Sequence, residues 1–156
     1  MKKILILGIG HWLMGDDSLG PLVIQRLKKM KLPSEVELDE IGPAVIDALP
    51  LLENREKVII VDALKADEAP GTILRIPAEQ LLASDKERLS LHQMNIVDVL
   101  KLAAQLGYKS ETVIIGMVIE EPLAPIEKLS EQIKKNIPSL IQTILKELSS
   151  ANAKNK

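Results

Sequence analysis

Ile4-Leu5-Ile6-Leu7-Gly8-Ile9-Gly10 runs into His11-Trp12-Leu13-Met14-Gly15-Asp16-Asp17-Ser18-Leu19-Gly20. The aliphatic run, closed by glycines, reads as a strand buried on both faces, and strands of that kind belong to parallel sheets. Behind the loop, Leu19, Leu22, Val23 and Leu27 recur on one helical face that ends at Lys28-Lys29. Strand, glycine-rich loop and helix thus follow one another. The runs 58–61 and 113–115 repeat the buried-strand signature. The segments 36–38 and 72–76 are shorter candidates, predicted nearer the edges; the second follows Pro70-Gly71, a pair suited to a type II turn.

Helical patterns alternate with these strands. Ile96, Val99, Leu100 and Ala103 form a face that ends at Gly107, and Ser90 stands three residues before Gln93, the capping-box spacing. Residues 45–52 make a shorter helix. Ile133, Ile137, Leu140, Ile141, Ile144, Leu145 and Leu148 keep one phase across Pro138, which predicts a single long, kinked helix. The expected fold is α/β: one domain over residues 1–149, a three-layer sandwich with a mostly parallel, twisted five-stranded sheet and helices on both faces. The polar tail 150–156 is expected to fray.

Composition narrows the chemistry. The chain has 156 residues, enough for one domain with one sheet-centred core. Lysine and arginine number 20 against 22 acids and are spread along the chain, and Trp12 and Tyr108 are the only aromatics, so a nucleic-acid surface is not expected. Cysteine is absent, which removes disulfides, thiolate metal sites and a cysteine nucleophile. No apolar run approaches the length of a membrane span and the N-terminus lacks a signal pattern, so the reading is a cytoplasmic protein without membrane insertion.

Oxygen and imidazole chemistry remain, with His11 and His92 the only histidines. The first loop departs from the dinucleotide fingerprint: Leu13 stands where its third glycine belongs, and two aspartates at a helix start would repel a pyrophosphate. Helix capping is one explanation of Asp16, Asp17 and Ser18; a cation held in a glycine-lined loop is the other. Asp62 ends the run 58–61, where doubly wound sheets place ligand-binding residues, and strand order 2-1-3 would bring the Asp17 loop and Asp62 to one crevice. The plain alternative is a turn cap or an ion pair. His92 falls in the first turn of its helix, where the macrodipole favours the neutral ring that binds metals. Asp17, Asp62 and His92 together make an incomplete ligand set with open positions, suited to nickel or zinc rather than calcium or magnesium. A serine triad is disfavoured, because no G-x-S-x-G elbow occurs.

These residues resemble a known family. Gly8-Ile9-Gly10 with Leu13-Met14-Gly15-Asp16-Asp17-Ser18-Leu19-Gly20, then Ile59-Ile60-Val61-Asp62-Ala63 with Pro70-Gly71, then Ser90-Leu91-His92 and Ile115-Gly116, are similar in order and spacing to the hydrogenase maturation endopeptidases. The resemblance implies a flavodoxin-like sheet and a cytoplasmic, aspartyl-type endopeptidase. Such an enzyme removes a C-terminal extension from the large-subunit precursor of a nickel-iron hydrogenase after nickel insertion. The family's metal-contacting and catalytic residues carry over onto Asp17, Asp62 and His92. The implied cofactor is nickel carried by the precursor, with zinc or another divalent transition metal able to substitute, and the implied partner is that precursor, met by a monomer. Two departures stand out: His11 replaces the usual asparagine, where it could add a fourth ligand, and Glu40-Ile41-Gly42-Pro43 replaces an Asp-Gly-Gly-Thr-like segment, which bears on substrate choice. A non-catalytic, metal-dependent assembly protein is the alternative.

Overall fold

The computed structural model describes residues 2–11, 18–85, 89, 91–120 and 129–154. Five strands, β1 (Ile4–Ile9), β2 (Val36–Ile41), β3 (Lys57–Leu64), β4 (Ile73–Pro77) and β5 (Glu111–Val118), form one sheet in the order β2-β1-β3-β5-β4. The β1–β2, β1–β3 and β3–β5 pairs are parallel, and β4 runs antiparallel along β5. The apolar runs occupy the centre as expected: β1 and β3 are buried along their whole length, and β5 at every residue after Glu111. The half-buried β2 and β4 take the edges.

Residues 69–72 form the anticipated type II turn, with Gly71 at φ 93° and the Thr72 N–H donating to the Ala69 carbonyl at 3.1 Å. Gly71 N–H in turn donates to the Val118 carbonyl at 2.8 Å, so the turn is fastened to the end of β5. This reversal sends β4 back antiparallel and leaves the slot between β3 and β4 for β5.

Period-two alternation splits the sheet's side chains between two cores. Ile4, Ile6, Ile59 and Val61 face α1 (Leu19–Leu27) and α4 (Glu131–Lys154). Leu5, Leu7, Ile60 and Leu64 face α2 (Ala78–Leu82), α3 (Leu91–Gln105) and the segment Val45–Leu52. The helices therefore cover both faces, as the sequence predicts.

Two local differences have physical causes. Val45–Leu52 is a 3-10 helix, not an α-helix. Pro50 inside it has no N–H to return to residue 46, so the tighter winding costs no bond there. The last helix crosses Pro138 unbroken, but it also continues to Lys154, beyond the point at which the 150–156 tail was expected to fray. Ser149 and Ser150 hydroxyls donate to the Leu145 and Lys146 carbonyls at 3.2 Å, and alanine and lysine are good helix formers, so nothing there breaks the winding. Among the described residues, no helix is long and apolar enough to cross a membrane.

One buried ionic cluster ties α4 to the sheet. The Glu147 carboxylate accepts from Arg75 Nε at 2.7 Å, Arg75 Nη2 at 2.9 Å and Lys57 Nζ at 2.6 Å, and Lys57 also donates to Glu111 at 3.0 Å. The Arg75 hydrogen bonds, helped by Lys57, hold the Glu147 carboxyl down to about 2 against the opposing effect of burial. A carboxyl depressed in the folded state stabilises fully above its unfolded value of 4.5 and loses that contribution as pH falls toward about 2. Glu147→Gln is therefore expected to cost about 1–3 kcal/mol at pH 7, because it leaves the buried Lys57 with Glu111 alone and the half-exposed Arg75 without its carboxylate. The gap between variant and parent should narrow between pH 4.5 and 2, read as urea midpoints across that range.

Candidate active site at the carboxyl edge of the sheet

β1 and β3 are parallel neighbours whose following helices lie on opposite faces, so the crevice at their carboxyl ends is a topological switch point. Two glycines shape its first wall. A Cβ at Gly20, the second residue of α1, would stand 2.7 Å from the Val61 carbonyl oxygen, and one at Gly8 would stand 2.6 Å from the Gly20 carbonyl oxygen. The helix start thus rests directly on the backbones of β1 and β3, at the residue before Asp62. Ser18 holds the N-cap position and is buried, but its side chain makes no cap hydrogen bond, so helix capping does not account for it.

Asp62 is the buried carboxylate of this edge, with 0% of its surface exposed. Its Oδ1 accepts from the Ala63 N–H at 2.8 Å, which fixes the carboxylate against the strand that carries it. Ile60 and Leu64, two residues to either side, belong to the core under α3, so the Asp62 side chain lies on the α3 face. A carboxylate taken wholly from water in the centre of a sheet is costly, and such groups concentrate at functional sites.

His92 is the second residue of α3, as the sequence predicts, and α3 covers the face that carries Asp62. The His92 ring lies outside the described residues, as do Asp16, Asp17 and the proposed cap Ser90. His11 is half-buried beyond β1, where the Gly10 N–H donates to the Ile41 carbonyl at 3.3 Å, so it stands at the same edge. Among the described residues, no three histidine, aspartate or glutamate side chains converge on one point. Two members of the expected set, Asp17 and the His92 ring, fall outside that group.

A feature the sequence did not announce lies beside the crevice. A cleft of about 850 Å³ is walled by Lys65, Ile76, Leu81, Asp85, Leu89 and Gln93, among others. Gln93 is buried next to His92, and its sequence signal was only a capping spacing. The cleft forms because β3, β4, α2 and α3 meet there, a conjunction that no single stretch of sequence encodes.

Fold and site together define an α/β protein with a buried aspartate at the carboxyl edge of the parallel strands of a mixed sheet and an open cleft alongside. The model of the hydrogenase maturation protease family matches residues 21–147. A putative hydrogenase maturation protease of Methanocaldococcus jannaschii is 36% identical over 151 residues, covering 94% of this chain and 97% of that one. Among solved structures, the hydrogenase maturating endopeptidase HybD from Escherichia coli superposes with a TM-score of 0.84 at 28% identity, over 97% of this chain and 94% of that chain. The [NiFe] hydrogenase maturation protease HybD from Thermococcus kodakarensis gives 0.76 at 26% identity, over 94% and 98%. The chain belongs to the hydrogenase maturation protease family, and so is a hydrolase acting as a peptidase.

The packing at Gly20 makes a direct prediction. Gly20→Ala must push α1 off β1 and β3, and is expected to lower stability by about 1–3 kcal/mol in urea unfolding. An unchanged midpoint would show that the helix does not need this close approach.

Proposed function

We propose that this protease removes a C-terminal extension from the large-subunit precursor of a nickel-iron hydrogenase, in the cytoplasm and as a monomer, with Asp17, Asp62 and His92 as its catalytic and nickel-contacting residues. The observation that carries the reading is the wholly buried Asp62 carboxylate at the switch point, in a chain that is a maturation protease by family. Its likeness to hydrogenase maturation proteases supports hydrogenase processing, and its likeness to the [NiFe] hydrogenase maturation protease of Thermococcus kodakarensis supports the metal type.

The donor chemistry fits a nickel ion that arrives with the precursor. A buried carboxylate, a second aspartate within a few residues of α1 and an imidazole at a helix start suit nickel, with zinc or another divalent transition metal as a substitute. A bound divalent ion polarises a carbonyl and lowers the pKa of water. The chain's own residues do the rest. The Ala63 N–H holds one Asp62 oxygen in place, so the carboxylate meets the substrate without first having to be ordered. His92, in the first turn of α3, would supply an imidazole nitrogen as ligand or proton acceptor. With three protein ligands the shell stays open, and a nickel-loaded precursor brings ligands of its own. Nickel then acts as part of the substrate, and cleavage is licensed only once the precursor is loaded.

The test is mass spectrometry of a nickel-loaded precursor incubated with the protein. Loss of a C-terminal peptide is expected; stable binding without cleavage would assign the chain to assembly instead. Asp62→Asn preserves an oxygen for the Ala63 N–H, so the fold should hold while the cleavage rate falls on the order of 100-fold or more. Asp16→Asn should have a much smaller effect, and equal losses in both would remove the case for Asp17 over Asp16.

The nickel dependence is checked separately, by loading the precursor and not the enzyme. Cleavage should follow the nickel content of the precursor, and nickel-saturated enzyme mixed with nickel-free precursor should give little product. Equal rates for loaded and chelator-treated precursor would reduce the metal to an ordinary hydrolytic cofactor or a bystander.

A further inference from the structure

Gly116 interrupts the apolar run of β5 and stands directly opposite Asp62 in the β3–β5 register. A Cβ at this position would overlap the Asp62 carbonyl oxygen, and would also stand 2.8 Å and 2.9 Å from two carbons of the Leu64 side chain. Neighbouring strands do not ordinarily bring a carbonyl into the place of a Cβ. Here the Asp62 peptide leans into space that only glycine leaves open. At the other end of that peptide, the Ala63 N–H turns to the Asp62 carboxylate. The two facts concern the same peptide unit, because the Asp62 carbonyl and the Ala63 N–H are its two ends and rotate together.

We propose that Gly116 is a positioning residue for Asp62. By admitting the Asp62 carbonyl, it sets the tilt of the 62–63 peptide, and that tilt aims the Ala63 N–H at Oδ1 and holds the carboxylate at the crevice. The consequence for cleavage rests on the protease reading given above; the consequence for the peptide does not. A side chain at 116 would force the peptide to rotate back or the strands to part, because the obstructing atom is backbone and cannot step aside like the end of a side chain.

Two variants separate this role from simple packing. Gly116→Ala carries both clashes, while the double variant Gly116→Ala with Leu64→Ala relieves the side-chain clash and keeps the one with the Asp62 carbonyl. Leu64→Ala alone is the control. Amide hydrogen exchange read by nuclear magnetic resonance supplies a local measurement that needs no precursor. In both Gly116 variants, the Ala63 amide should lose protection at least tenfold while Ile59 and Ile60, further back on β3, keep theirs; the Leu64→Ala control should leave Ala63 protected relative to those two. With nickel-loaded precursor, both Gly116 variants should lose on the order of 100-fold in kcat with KM within about twofold, the pattern of a misplaced reacting group.

Ala63 protection unchanged in a folded Gly116→Ala protein would overturn the proposal. Recovery of Ala63 protection in the double variant would overturn it too, by showing that Leu64 was the only contact that mattered. If neither Gly116 variant gave a dispersed spectrum, the glycine would be needed for the whole β3–β5 pairing, which also excludes a local role. Failure of the parent chain to cleave any precursor would count against the protease reading alone, since the exchange experiment would still report on Gly116.

Discussion

Parallel pairing of β1 with β3 requires the chain to leave both strands at the same edge of the sheet, and the rest of the molecule depends on how closely those two exits can approach. Gly8 and Gly20 set that distance, since α1 begins in backbone contact with both strands and not a side chain's width away. The first turn of α1 thereby begins beside Val61, the residue before Asp62. α3 packs on the other face of the sheet, so the two helices flank the same strands from opposite layers. A larger residue at either glycine would widen the crevice from its base.

The same constraint explains how a carboxylate can be placed where the sheet should be driest. Burying Asp62 is unfavourable by itself, and the two aliphatic cores on either face of β3 supply the burial energy that offsets it. Within the strand, the carboxylate takes a hydrogen bond from the next backbone N–H, so part of the cost is recovered locally. The rest of the cost is carried by the packing on both faces of β3, which holds the strand in place whatever its sixth residue is.

The order of elements was legible because buried parallel strands leave an unmistakable trace. The runs around Ile4, Val58 and Val113 became β1, β3 and β5, and the weaker, alternating segment at Val36 became an edge strand longer than its apolar core indicated. That extension to Ile41 was hidden because Glu37, Asp39 and Glu40 are half-buried at the edge and read as polar. The winding of Val45–Leu52 and the reach of α4 to Lys154 were obscured for a different reason: both depend on which local hydrogen bonds survive, not on hydrophobic phase. For the site, the sequence supplied addresses: an aspartate at a strand end, a histidine at a helix start. It could not supply the lean of the 62–63 peptide or the cleft beside Gln93, because each arises from atoms brought together by the sheet from distant stretches.

β3 also shows how the fold separates holding from acting. Lys57 at its start belongs to the ionic cluster that fastens α4 through Glu147, while Asp62, five residues on and roughly 17 Å away along an extended strand, belongs to the crevice. Arg75 is nearer, standing opposite Ile115 on β5, one residue before the Gly116 that faces Asp62, but it joins Glu147 of α4 on one face of the sheet while Asp62 lies on the α3 face. Lys57 thus fastens α4 at the amino end of β3, and Arg75 fastens it from the edge strand, both on the face of the sheet opposite to that of Asp62. Substitutions at Lys57, Arg75 or Glu147 therefore bear first on how firmly α4 is held to the sheet, and those at Asp62 on the face under α3. One strand serves both because its alternate side chains face different layers.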